Sequence, residues 1–106
     1  MSTPEAAAFR LEGAGDGRLA AHGPLTFASA RAARALGLAA LGDGSGAVEI
    51  DCRGVGASDS AGLAVLLDWL AAARHAGRSL RYSGLPADVT ALARISEIAE
   101  FLEKGV

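Results

Sequence analysis

The chain has 106 residues, a formal net charge of −2 and an apolar fraction of 51%, enough for one packed domain. A slightly acidic balance lacks the basic footprint of nucleic-acid binding, and a single cysteine excludes an intramolecular disulfide framework and a multi-cysteine zinc site. No apolar run approaches the roughly 18 residues needed to span a bilayer, and Met1-Ser2-Thr3-Pro4-Glu5 has no basic and no apolar leader region, so the expectation is a soluble cytosolic protein.

Residues 1–8 are small and polar and are expected to form a flexible tail, with a single domain over residues 9–106. Phe9 to Gly13 alternates Phe9 and Leu11 with Arg10 and Glu12, the period of a half-buried strand. Gly13-Ala14-Gly15-Asp16-Gly17 supplies a hairpin turn, and Arg18 to Gly23 the returning strand. Pro24 and Thr26 punctuate a helix start, Thr26 as cap. Phe27 to Leu41 then places Ala30, Ala33, Leu36 or Gly37, and Ala40 on one face, with Arg31 and Arg34 on another. Gly42 to Gly46 stops that helix, a left-handed glycine cap being the expected device.

Ala47 to Cys52 alternates as a strand, and Gly54 to Asp59 reads as a loop. Ser60 to Ala76 is the most strongly patterned helix, with Leu63, Leu66, Leu67 and Leu70 recurring at three and four. Gly77 ends it, and Ser79 to Ser83 forms a further strand. Pro86 suits the first turn of another helix carrying Val89, Leu92 and Ala93 inward. A last helical segment, Ile98 to Lys104, has Phe101 and Leu102 as anchors. The order β-β-α-β-α-β-α(-α) predicts an α/β domain: a mixed sheet of about four strands with covering helices, antiparallel only in the opening hairpin.

Catalytic constellations are thin. Lys104 is the only lysine and sits far from both glycine-rich segments, so no Walker loop exists. His22 and His75 have no ligand at i+3 or i+4, and His75 reads as a favourable charge at a helix C-terminus. Cys52 closes a strand and reads as a small buried hydrophobe. Gly56-Ala57-Ser58-Asp59-Ser60 lacks the closing glycine of a nucleophile elbow. The expectation is a non-enzymatic chain with no metal and no cofactor.

The segment Ser58-Asp59-Ser60-Ala61-Gly62-Leu63 stands apart, because it opens the strongest helix immediately after a strand. On one reading Ser58, Asp59 or Ser60 caps the helix and Gly62 permits close packing. On the other, free N–H groups make the entrance tolerant of anions, and a hydroxyl there docks a partner or accepts a phosphoryl group. Trp69 lies at the margin of the leucine stripe, either as an interface anchor or as cover for its own core. Arg74, Arg78 and Arg81 form a solvated basic face or a contact for an acidic partner.

Val48-Glu49-Ile50-Asp51 followed by Asp59-Ser60-Ala61-Gly62-Leu63 resembles the signature of the STAS family, the sulfate transporter and anti-sigma factor antagonist domains. Gly17-Arg18-Leu19 and Gly23-Pro24-Leu25-Thr26 resemble its opening hairpin and first helix start, so the likeness runs from Phe9 to Leu102. Ser60-Ala61-Gly62-Leu63 through Leu70, and Arg81 to Pro86, are most similar to the MlaB-type branch, the accessory subunit of the Mla phospholipid-transport ABC system. That resemblance implies a cytosolic protein held at the inner membrane through an ABC ATPase subunit, without direct membrane insertion. It implies Ser60 as phosphoacceptor or partner contact, with Ser58, Asp59, Ala61, Gly62, Leu63 and Trp69 in the partner-binding surface. The other branch implies an anti-sigma factor antagonist phosphorylated on Ser60 by a partner serine kinase. There the position after the serine is usually Ser or Thr, where this chain has Ala61.

Overall fold

Four strands and four helices follow one another as β1 (Arg10–Gly13), β2 (Arg18–Leu25), α1 (Phe27–Gly42), β3 (Val48–Ser58), α2 (Ser60–His75), β4 (Leu80–Ser83), α3 (Ala87–Ile95) and α4 (Ala99–Lys104). This computed structural model describes residues 8–106; apart from Ala8, the expected tail lies outside the described residues. The sheet order is β1-β2-β3-β4, with β1 antiparallel to β2 and the other pairs parallel. Both parallel crossovers step the same way across the sheet, and right-handed connections then place their helices on one face. Burial alternates along the first half of β3 and along β4, so Val48, Ile50, Cys52, Leu80 and Tyr82 face the helices while Glu49 and Arg81 face outward.

β3 is longer than the sequence indicates. The expected loop from Gly54 onward is strand as far as Ser58, because β2 runs alongside it to Leu25. β3 carries one residue more than β2 between Asp51 and Gly54, and again between Val55 and Ser58. These bulges twist the strand. The Arg53 N–H donates to Asp51 Oδ1 at 2.9 Å, and the Arg53 side chain reaches the same oxygen at 3.1 Å. Both bonds hold the Asp51 carboxyl below its ordinary value. β2 also extends past Gly23 through Pro24 to Leu25, and its register against β3 shifts between Gly23 and Leu25, where the proline lies.

The core joins α1 to α2 through Trp69. Its side chain is 0% exposed and its indole Nε1 donates to the Arg34 carbonyl at 3.4 Å. Gly37 is the inward position of α1, and Leu36 points out, because a Cβ at Gly37 would overlap the indole ring. Tyr82 O–H donates to the Leu66 carbonyl at 2.6 Å, tying β4 under α2.

The helix ends are closed differently from one another. α2 stops in a Schellman arrangement, with Gly77 at φ +73 and the Arg78 N–H donating to the Ala73 carbonyl at 2.8 Å. α1 has no left-handed glycine cap; it ends on Asp43 at φ −90. Arg78 supplies the missing donors, its guanidinium reaching the carbonyls of Leu41 and Gly46 at 3.1 Å each. That arginine is therefore a brace between α1, its following loop and β4, rather than part of a free basic face. In α4, Leu102 is buried, but the expected anchor Phe101 is 63% exposed because it faces away from β4.

Candidate functional site

Asp59 stands where β2, β3, α1 and α2 converge. It is the N-cap of α2, and its Oδ1 accepts from the Ala61 and Gly62 amides at 2.9 and 3.1 Å. Its Oδ2 accepts from the Phe27 amide, the first of α1, at 3.0 Å. One carboxylate thus closes two helix entrances, and those three amides hold it below the ordinary carboxylate value of 3.8. Thr26 is the N-cap residue of α1, but Ser29 does the side-chain work, accepting from the Thr26 N–H at 3.0 Å and donating to the Pro24 carbonyl at 2.8 Å.

This geometry corrects the picture of an open anion cradle. The Ala61 and Gly62 amides are bound by Asp59 Oδ1, and the Leu63 amide by the Asp59 carbonyl at 3.0 Å. The chain's own carboxylate occupies the place an anion would take. Ser60 is consequently free of the cap: it is the first residue of α2, and it is exposed.

The other residues of the segment divide by burial. Asp59 and Ala61 are half-buried beside Ser60. Ser58 is half-buried too, with its Oγ enclosed and without a hydrogen-bond partner among the described residues. Gly62 and Leu63 are buried and build the entrance from beneath. A Cβ on Gly62 would overlap the Leu25 carbonyl oxygen, so only glycine lets α2 start against the end of β2. Trp69 offers nothing to a partner: it is sealed between α1 and α2, where Gly37 makes room for it. Its place in a partner-binding surface is withdrawn.

One residue that sequence reasoning did not mark as functional lies beside the Asp59 cap. Phe27, at the first position of α1, is 84% exposed. With Arg31, Arg34 and Leu38 it forms one stripe of α1, and that stripe walls an open groove against Ala61, Ala64 and Val65 of α2. The signal was the spacing 27, 31, 34 and 38, which falls at helical period off the Ala33–Gly37 face. Across the groove Arg34 Nε pairs with Asp68 Oδ2 at 3.0 Å.

Neither Cys52 nor His75 lines this groove. Burial, and secondarily the neighbouring Asp51 charge, push the Cys52 thiol up to about 12, which leaves it protonated and inert. His75 lies exposed in the last turn of α2. Among the described residues no cluster of three or more His, Cys, Asp or Glu forms, and no helix is long and apolar enough to cross a membrane.

The family model described as "Mlab, STAS domain" matches residues 9–103. The chain belongs to the STAS domain family. Among solved structures, this STAS domain resembles the anti-sigma factor antagonist SpoIIAA in its unphosphorylated form, with 18% identity, 89% of this chain and 84% of that one covered, and a TM-score of 0.66. It also resembles part of the murine anion transporter Slc26a9 in its inward-facing state, at 20% identity and a TM-score of 0.57. That match takes in 79% of this chain and 14% of the transporter. At these identities the likeness is one of fold. No curated protein matches the sequence. Within the STAS fold, the Asp59-Ser60-Ala61-Gly62-Leu63 motif is the turn in which a carboxylate locks two helices and leaves one hydroxyl outside.

Proposed function

We propose that this STAS domain is a non-enzymatic binding subunit that docks its Ser60 entrance onto the ATPase subunit of an MlaFEDB-like ABC transporter for phospholipids. The observation that carries it is the exposed Ser60 on a helix entrance already satisfied by Asp59, so the hydroxyl is available to another polypeptide. The family model's MlaB description supports the choice of partner. Binding would act by mass action, raising the population of the assembled, active ATPase without touching lipid. The cytoplasmic face of the inner membrane follows from that partner.

Purified chain and ATPase subunit test this directly. Ser60→Ala is expected to leave the fold intact, within about 0.5 kcal/mol of wild type, because an exposed non-capping hydroxyl is lost. Ser60→Glu is expected to abolish co-purification by placing a second charge beside the Asp59 carboxylate. Full ATPase binding by the Glu variant would overturn the proposal.

A second reading makes Ser60 the phosphoacceptor of an anti-sigma factor antagonist. The same exposure favours it, since a kinase needs the hydroxyl outside the cap, and a phosphate there adds about −1.5 to −2 charge next to Asp59. Incubation with a cognate serine kinase and ATP, followed by mass spectrometry, separates the readings: a Ser60 phosphopeptide supports the switch.

A further inference from the structure

We infer that the groove between α1 and α2 receives a segment of the protein partner that carries an apolar side chain within about one helical turn of a carboxylate. This rests on the reading of Ser60 as a docking point and names what is docked beside it. Between the exposed Phe27 ring at one end and Leu38 at the other, the groove is lined by the small residues Ala30, Ala61 and Ala64. Small side chains under a projecting aromatic leave room for an incoming apolar group. Exposed aromatics of this kind are the anchors of interfaces.

Charge fixes the second half of the description. The groove holds two arginines and one aspartate, a local +1 on a chain whose formal charge is −2. Arg34 is engaged by Asp68 at 3.0 Å, whereas Arg31 forms no ion pair among the described residues. Arg31 lies one turn beyond Phe27 on the same stripe, so a partner that fills the aromatic end brings its next turn to the guanidinium. A carboxylate there gains a charge-assisted, bidentate bond. The walls are already fixed by the Arg34–Asp68 pair and by the bond from Trp69 to the Arg34 carbonyl, so little ordering is needed on this side.

Two measurements test the inference and separate it from the reading beneath it. In the first, affinity for the purified ATPase subunit is measured for Phe27→Ser, Arg31→Glu and Ser60→Glu, with circular dichroism confirming each fold. The groove variants are expected to weaken binding about tenfold or more each. The Arg31 contribution should shrink as salt rises from low to physiological strength. Wild-type affinity in both groove variants, with binding still lost in Ser60→Glu, overturns the groove and keeps the docking point. In the second, peptides displayed on phage are panned against the wild-type chain and counter-selected on the Phe27→Ser/Arg31→Glu double variant. Enrichment of an apolar residue within four positions of Asp or Glu supports the inference even if the ATPase does not bind. No enrichment, enrichment of basic peptides, or concentration-dependent dimerisation that the double variant abolishes would overturn it.

Discussion

Asp59 shows how one side chain can set the relation between two helices. Its Oδ1 serves α2 and its Oδ2 serves α1, and both roles need the ionised form. Asp59→Asn keeps an oxygen for the α2 amides but turns an N–H₂ toward the Phe27 amide, two donors facing each other. The variant is expected to fold, to be less stable than wild type at pH 7, and to lose protection of the first α1 amides in hydrogen exchange. Because the folded carboxyl is held below 3.8, its contribution is complete above that value. It is lost as pH falls below 3.8 and through the lowered folded value. Urea unfolding at pH 7 and pH 3 should therefore show the gap between wild type and Asp59→Asn narrowing at the acid end. A gap that widens would contradict the assignment.

At the scale of elements, packing is decided by two glycines that local propensity disfavours. Gly37 lies inside a helix, where alanine is worth about 1 kcal/mol more. Yet Gly37→Ala drives a methyl into the Trp69 indole, and overpacking of this kind costs about 1–3 kcal/mol. The expected net result is a less stable protein, read from the shift of a chemical-denaturation midpoint. Gly62→Ala should be worse, because its methyl meets the Leu25 backbone oxygen rather than a side chain that can turn away. Failure of that variant to fold, beside a folded Gly37→Ala, is the outcome this ordering predicts.

For the molecule as a whole, stability comes from ties between elements distant in sequence. Arg78 closes the C-terminus of α1 from the turn before β4, and the Val106 N–H donates to the Leu80 carbonyl at 2.9 Å, covering the outer edge of β4. Arg78→Met is expected to cost about 1–3 kcal/mol, the range for lost bonds to a charged donor. The deficit should appear in urea unfolding together with faster exchange across residues 40–46. The Ser60 entrance, Phe27 and Arg31 lie toward the opposite end of α1 from this brace, so the same variant should leave partner affinity unchanged.

Periodicity alone set out the element order, the antiparallel opening hairpin, the parallel remainder and the leucine face of α2, because these follow from side-chain spacing and short connections. The same local signal placed the candidate site at the start of α2, since a cap must stand where a strand hands over to a helix. Tertiary structure decided the rest. β3 extends through Gly54 and Gly56 because β2 pairs beside it, which no pattern within β3 encodes. Trp69 is interior because Gly37, 32 residues earlier, leaves the space for its ring. Asp59 could be read as the cap of the helix it precedes, but its hold on Phe27 joins residues 32 apart. Spacing reports which face a residue shares with its near neighbours; which distant backbone comes to meet that face is settled only when the chain has folded.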